Sequence, residues 1–538
     1  MGPPPRSAVP RGLLVAVATV AVLPVAFLAT GPWHFGNVHL RYLNIVIAAG
    51  VVLSVTVRAM LPRRLAGEAW LDREVAIPNR FVWLGVAVIA AMLMRLVLNQ
   101  FAALGINAWD FSLYADRPLA ATAQGRLLWS EYLGGSTLGN HAGFLLLAFV
   151  PLYFIHPSPL WLLFAPPVAV ALASAVLFFV IRRISGDDVV AGTLALAFFL
   201  NASTARAVGY VFHLEVFYPL GIFLLAWALL ARRPWVFGVA LALTLAIKED
   251  ALIPLLGFAA VAWGKFNRRT WAMLTAAAAL AVYVVDSRLV LPHFGSRDVA
   301  SPVWYPWYWA SFGPTPVTAL LGMLRRPIEV VWRAAHSGGP GLLLSMLFIP
   351  VVGWEWCLAA MPGLLVYGAS DAPGLSQLSI YYAMPLLPLL FLALPDGIGR
   401  VATWRRRNAT PAAKRRRCRI IALAVLATSA LLDSPYKLRE PRAEGGEVKT
   451  SVASVTGTTP VLVQGALMPH AGYDERVRVL DRAPGVDGRA AFLIAPTANP
   501  YPFSRAELEA LVQRLSDDPR YLREQTPTGL LLFRPAML

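Results

Sequence analysis

The sequence predicts an all-α polytopic membrane protein of about 13 transmembrane helices, with a small extracytoplasmic α/β domain at its C-terminus. Three observations predict it. The chain is 57% hydrophobic and only 14% charged, where a soluble globular chain carries about 25% charged residues. Apolar runs recur at lengths approaching the roughly 20 residues that a helix needs to cross a bilayer. From about residue 434 the character changes to short apolar strands and one capped amphipathic helix, the pattern of a small α/β unit.

The first element, 12–30, follows Arg6 and Arg11 but is long for a signal peptide and runs into Gly31-Pro32-Trp33, so it is expected to be a retained helix. A second follows at 41–57. Arg58, Arg63, Arg64, Arg73 and Arg80 come next. Basic loops stay on the cytoplasmic side, which makes 1–80 a unit of two helices and a basic cytoplasmic loop, with the N-terminus in the cytoplasm.

The core, 81–433, is expected to hold spans at 81–100, 160–181, 189–207, 215–231, 235–247, 251–264, 270–290, 341–353, 356–369, 382–399 and 419–433. With this threading the alternate loops carry Arg182 and Arg183, Arg232 and Arg233, Lys265 with Arg268 and Arg269, and the dense cluster Arg400–Arg419. The net charge of +17 therefore reads as positive-inside topology and affinity for anionic lipid, not as nucleic-acid binding. The apolar stretch 141–155 must be left out of the count, because a span there would invert the charge pattern downstream. It is short, contains Pro151, and is assigned as a re-entrant or interfacial segment. Two outer loops result, 101–159 and 291–340, the second containing VWYPWYWASF.

The tail, 434–538, is the outer α/β domain. Its linker is 437–450, its strands lie in VLVQGAL, AAFLIAP and GLLLFRP, and its helix covers SRAELEALVQRLSDDPRYLRE with Ser504 as N-cap and Glu507 completing a capping box. Cys357 and Cys418 both fall on the cytoplasmic side, so no structural disulfide is expected.

Charged groups within or beside membrane segments are costly to bury and mark candidate sites. Lys248-Glu249-Asp250 stands out: it separates two apolar runs of about 13 residues, and such a helix reaches about 20 Å against a hydrocarbon core of about 30 Å. The triad is therefore expected below the outer surface, either as an internally paired structural cluster or as a functional one. Asp110, flanked by Trp109, Phe111 and Tyr114 and followed by Asp116, Arg117 and His141, is either a solvated loop residue or a carboxylate desolvated by aromatic rings, with its pKa raised toward the range useful to a base. Arg206, Tyr210, His213 and Glu215 cluster at another span end; the HxE pair is too small for a metal motif and suits a hydrogen-bonding role. Tyr381 and Tyr382 stand at the mouth of a late span, after Gln377 and Ser379.

An acidic first outer loop, a helix pair with charges at its outer tip, about a dozen spans and an outer C-terminal domain resemble the GT-C superfamily of membrane glycosyltransferases. More closely, the segments DFSLYAD (110–116), HAGF (141–144), FHLE (212–215), KED (248–250) and YAMPLLP (382–388) resemble a family of uncharacterised predicted membrane proteins common in actinobacteria. Asp116 stands where that pattern has Gln, and Ala142 and Gly143 interrupt its HF-x-P. The resemblance spans about 81–400 and extends faintly into PVLVQGALMPHAGYDERV (460–477). It implies a polyprenyl-phosphate sugar donor, a glycan or lipid acceptor in the cell envelope, and transfer at the outer face of the cell membrane. It further implies Asp110 as general base, with substrate contacts from Asp116, Arg117, His141, Arg206, His213, Glu215, Lys248, Glu249, Asp250 and Tyr382. Lys248 and Arg206 would meet the donor phosphate, with Glu249 or Asp250 holding Lys248. No cofactor is required; a divalent cation is optional in the superfamily. A transporter or flippase of envelope precursors would use the same intramembrane charges, and a non-enzymatic envelope assembly protein is a third reading.

Overall fold

The computed structural model describes Leu71 and residues 74–536 except 107, 211, 296–307, 405–409, 432–438 and 483, together with two short paired strands, His34–Phe35 and Val38–His39. The expected spans at 12–30 and 41–57 lie outside the described residues. The core is helical, and four helices are individually long and apolar enough to cross a membrane: Asn79–Ala102, Leu160–Ser185, Leu214–Ala231 and Arg269–Phe294.

The expected span 189–207 is a helix bent by 46° between Asp188–Leu200 and Ala202–Gly209. Asn201 breaks it. Its side chain accepts from Ser203 N at 3.0 Å, capping the second half, and donates to Ser345 Oγ at 3.0 Å, so the backbone is offered a helix start in mid-helix. Asp187 similarly caps Asp188–Leu200, accepting from Val189 N at 2.9 Å, and also receives the buried Arg419 guanidinium at 2.9 Å. One carboxylate thus starts a helix and anchors the helix Pro411–Leu431.

The segment 141–155 forms no long helix. Phe144–Phe149 is a 3-10 turn that runs into the short helix Val150–Ile155, and Leu145 N donates to Ala246 O at 2.7 Å. The runs beside Lys248 are short helices, Pro234–Leu245 and Leu252–Gly264. Leu252–Gly264 packs closely on Trp354–Gly368, where a Cβ at Gly257 would strike the Ala359 carbonyl; small residues allow such backbone contact. Between Arg232-Arg233 at one end and Lys248-Glu249-Asp250 at the other, the helices of this region turn alternately at a basic end and at an end bearing the candidate residues.

The C-terminal unit is a five-stranded sheet. Its strands are β1 (Val461–Val463), β2 (Val477–Val479), β3 (Ala491–Ile494), β4 (Tyr521–Gln525) and β5 (Leu531–Pro535), in the order β2-β1-β3-β5-β4. β1 is parallel to β2 and β3, and β5 is antiparallel to β3 and β4. Strand alternation splits the core in two. Phe492, Ile494 and Phe533 face the helix Arg505–Asp517, whereas Val461, Val463 and Leu493 face the helix Glu444–Ala453 and, from the first loop, Leu104, Ala108 and Leu113.

Two sequence expectations are corrected here. The helix carries the expected Ser504–Glu507 capping box but ends at Asp517, and YLRE belongs to β4. Pro519 restricts Asp518 to an extended backbone, which stops the helix. The expected linker 437–450 contains most of a helix, Glu444–Ala453, whose Val448 and Val452 are fully buried in the domain core; its apolar residues are spaced four apart.

Candidate functional site

The first loop enters the site through a π-helix, Trp109–Asp116, continued by Arg117–Ala123. Residues four apart share a face of this wide turn: Leu113 and Arg117 look toward the C-terminal domain, and Asp110 and Tyr114 line a cavity among the helix ends. The cavity has a volume of about 680 Å³ and is also lined by His141, His213, Glu215, Lys248, Glu249, Asp250 and Tyr382. Aromatic rings from Tyr308, Trp309, Tyr367 and Tyr381 and apolar side chains from Leu252, Ile253 and Val366 complete its wall.

Each charge in this cavity has a defined partner. Asp110 accepts a short hydrogen bond from Tyr210 OH. Burial pushes its carboxyl above the ordinary range, opposed by the Tyr210 bond and then by the nearby His141 and Lys248 charges. Lys248 donates to Glu215 Oε1 at 2.7 Å, and the other Glu215 oxygen contacts His213 Nδ1. The His213 ring stacks on Tyr381 with centroids 3.5 Å apart. His141 Nδ1 lies 2.8 Å from Glu249 Oε1, and Ala142 N donates to Glu249 Oε2 at 3.0 Å. Asp250 accepts from Tyr218 and, at 3.3 Å, from Tyr367.

Lys248 is therefore held by Glu215, not by its sequence neighbours Glu249 or Asp250. The backbone explains this. Lys248 is extended and the next residues enter a 3-10 turn, Glu249–Ala251, so the three consecutive side chains point in different directions and each finds a separate partner. Glu215 is 1%, Glu249 3% and Lys248 8% exposed, which is tolerable for ionised groups only when they are paired.

Asp116, Arg117 and Arg206 do not join the lining. Asp116 accepts from Tyr153 OH at 2.6 Å and Tyr473 OH at 2.7 Å; burial raises its carboxyl to about 6, held back by those two bonds. Arg117 donates to the carbonyls of Gly472 (2.7 Å), Asp474 (2.9 Å) and Val477 (3.3 Å). Together they fasten the first loop to the segment 141–155 and to the C-terminal domain. Arg206 reaches back along its own helix toward Ser203 Oγ, 3.5 Å away. Among the described residues, no group of three or more His, Cys, Asp or Glu is arranged to hold a metal ion.

Sequence reasoning overlooked Tyr283 and Tyr367 in the lining, Tyr218 as the partner of Asp250, and the Tyr153–Asp116–Tyr473 bridge. Tyr218 and Tyr367 sit inside apolar helices, where a single tyrosine carries no signal. The aromatic run around Tyr308 and Trp309 was the one available pointer.

The family model described as Predicted membrane protein (DUF2079) matches residues 100–447. The chain belongs to that family. The match covers every candidate residue from Asp110 to Tyr382. No protein with a curated description matches the chain. Two solved structures are similar in shape. The chain resembles ArnT from Cupriavidus metallidurans bound to undecaprenyl phosphate (14% identity, TM-score 0.48) and the same protein in the apo state (13% identity, TM-score 0.45). In each case the likeness covers 85% of this chain and 98% of the other.

Proposed function

We propose that this DUF2079 protein is a GT-C-type membrane glycosyltransferase that moves a sugar from a polyprenyl-phosphate donor to an envelope glycan or lipid at the outer face of the membrane. The observation that carries the proposal is the shared cavity: a desolvated carboxylate, Asp110, faces the same space as a buried lysine, with aromatic rings and an apolar patch around them.

Each part has a task. Asp110 takes the proton of the acceptor hydroxyl as that oxygen attacks the anomeric carbon. The bond from that carbon to the phosphate oxygen breaks with inversion, and the phosphate leaves with the electron pair. Lys248, aimed by Glu215, meets the charge that develops on the phosphate. Aromatic faces such as Tyr308 and Tyr382 give the sugar flat apolar surfaces, and Leu252, Ile253 and Val366 receive the first isoprenyl units. On this reading His141 and His213 are positioning groups, each held against a glutamate. Asp116 and Arg117 act on the loop that carries Asp110, not on substrate.

The test is transfer of radiolabelled sugar from a panel of polyprenyl-phosphate donors in proteoliposomes containing the full chain. Transfer of label to an acceptor supports the reading. Movement of donor between leaflets without cleavage of the sugar–phosphate bond would make the protein a flippase instead.

A further inference from the structure

A second concavity lies beside the cavity, between the first loop and the C-terminal domain. It has a volume of about 270 Å³. Leu113 of the π-helix Trp109–Asp116 and Arg117, which follows it, line this concavity, while Asp110 of the same π-helix lines the cavity. One wall is a small hairpin in which Trp129 pairs with Ser136 and Ser130 with Gly135; the other includes Arg478 and Asp481 of the domain.

Three features of this cleft point to a ligand. Its hairpin wall presents aromatic rings to solvent: Trp129 is 37% and Tyr132 46% exposed. Tyr132 stands edge-on to Trp109 with centroids 4.6 Å apart, Trp109 in turn meets Tyr501 at 6.2 Å, and Trp109 adjoins Asp110 in sequence. Its lining charges balance in number, Arg117, Arg126 and Arg478 against Glu131, Glu475 and Asp481, and two pairs are in direct contact, Arg126 with Glu475 at 2.8 Å and Arg478 with Glu131 at 3.2 Å, which leaves planar donors and acceptors with no net formal charge. Finally, Ser130 is only 3% exposed, yet its Oγ has no hydrogen-bond partner among the described residues. A buried hydroxyl left unmatched is costly unless something outside supplies the bond.

Exposed rings beside planar, charge-balanced hydrogen-bonding groups suit the apolar faces and the hydroxyl rims of a neutral sugar chain. A nucleic acid or other polyanion would need a surplus of arginines. We infer that the cleft between the first loop and the C-terminal domain binds a neutral oligosaccharide, the non-reducing part of the acceptor, and leads it past Trp109 to Asp110. This inference rests on the glycosyltransferase reading for the direction of the chain, though not for the binding itself. It gives the C-terminal domain a role: the domain supplies half of an acceptor groove.

The test uses the full-length protein in nanodiscs. Binding of neutral linear hexose and pentose oligosaccharides, with a hyaluronan oligosaccharide as the anionic control, is measured by saturation-transfer NMR and by titration. Neutral chains are expected to bind in preference to the anionic one. Tyr132→Ala and Trp129→Ala are each expected to weaken binding about tenfold, near the upper range for one aromatic contact. Ser130→Ala, which removes no hydrogen bond of the fold, is expected to weaken it several-fold. Equal binding by wild type and by the Tyr132 and Trp129 variants, or preference for the anionic chain, overturns the cleft assignment. Loss of transfer activity alone, with these affinities unchanged, counts against it as well. Intact chain binding with no transfer from any donor overturns the enzyme reading and leaves the cleft standing.

Discussion

Asp110 and Tyr210 are 100 residues apart in sequence, and the proton chemistry of the proposed site rests on their contact. Burial raises the Asp110 pKa and the tyrosine bond lowers it. A base acts only when deprotonated, so the rate falls as pH drops through the raised pKa. Tyr210→Phe removes the lowering contribution, and the acid limb of the pH–rate profile is expected to move to higher pH; an unmoved limb would separate Tyr210 from the reacting carboxylate. The same shift has a stability consequence. A carboxyl with a folded-state pKa above its unfolded value stabilises the fold at low pH, and that contribution is lost as pH rises through the folded pKa. Asp110→Asn is therefore expected to leave the neutral-pH melting temperature unchanged or higher, so a loss of activity in that variant cannot be blamed on unfolding. Lys248 behaves oppositely. Its removal leaves the buried Glu215 without its cationic partner and with only the His213 contact, at a cost of up to about 3–5 kcal/mol. Lys248→Met combined with Glu215→Gln should recover much of the melting temperature while transfer stays lost, and recovery of transfer in the double variant would deny Lys248 a role in the chemistry.

At the scale of elements, the first loop is held on two sides, by the C-terminal domain through Arg117 and Asp116 and by the helix ends through Asp110, His141 and Ala142. Arg117 donates to carbonyls of the 472–477 segment, and hydrogen bonds from a charged donor contribute about 1.5–3 kcal/mol each. Arg117→Ala is expected to increase hydrogen exchange in residues 471–479 and in the π-helix Trp109–Asp116 together; faster exchange in the domain alone would show that the two are not coupled. This coupling was not legible in the sequence, because Asp116 and Tyr473 are 357 residues apart and nothing in the segments that hold them says that the two meet. Lys248-Glu249-Asp250 was legible because three charges between apolar runs violate the cost of burying charge. Their partners were not, since Glu215 is 33 and His141 is 108 residues from the residue it meets. The helix boundaries followed from hydropathy only in part, with errors where local chemistry overrode it: Asn201 bends an apolar run, the expected span 341–353 is two short helices, Gly338–Leu344 and Ile349–Val352, broken at the left-handed Leu347 and Phe348, the expected span 382–399 starts as a helix only at Leu387, and Pro519 converts an expected helical turn into an edge strand.

On the scale of the whole molecule, the helix ends gather buried charges from the first loop, from the 202–215 region and from the short helix pair around Lys248 into one cavity. The C-terminal domain closes against the loop that carries Asp110. The family match over residues 100–447 includes the whole cavity and leaves most of the sheet domain outside. The most direct measurement of the central claim is sugar transfer by Asp110→Asn and wild-type protein at equal reconstitution, using a polyprenyl-phosphate donor that the wild type accepts. Loss of a general base predicts a fall of about 10²–10⁴-fold with donor binding and melting temperature retained. Transfer by the variant at the wild-type rate would contradict the account.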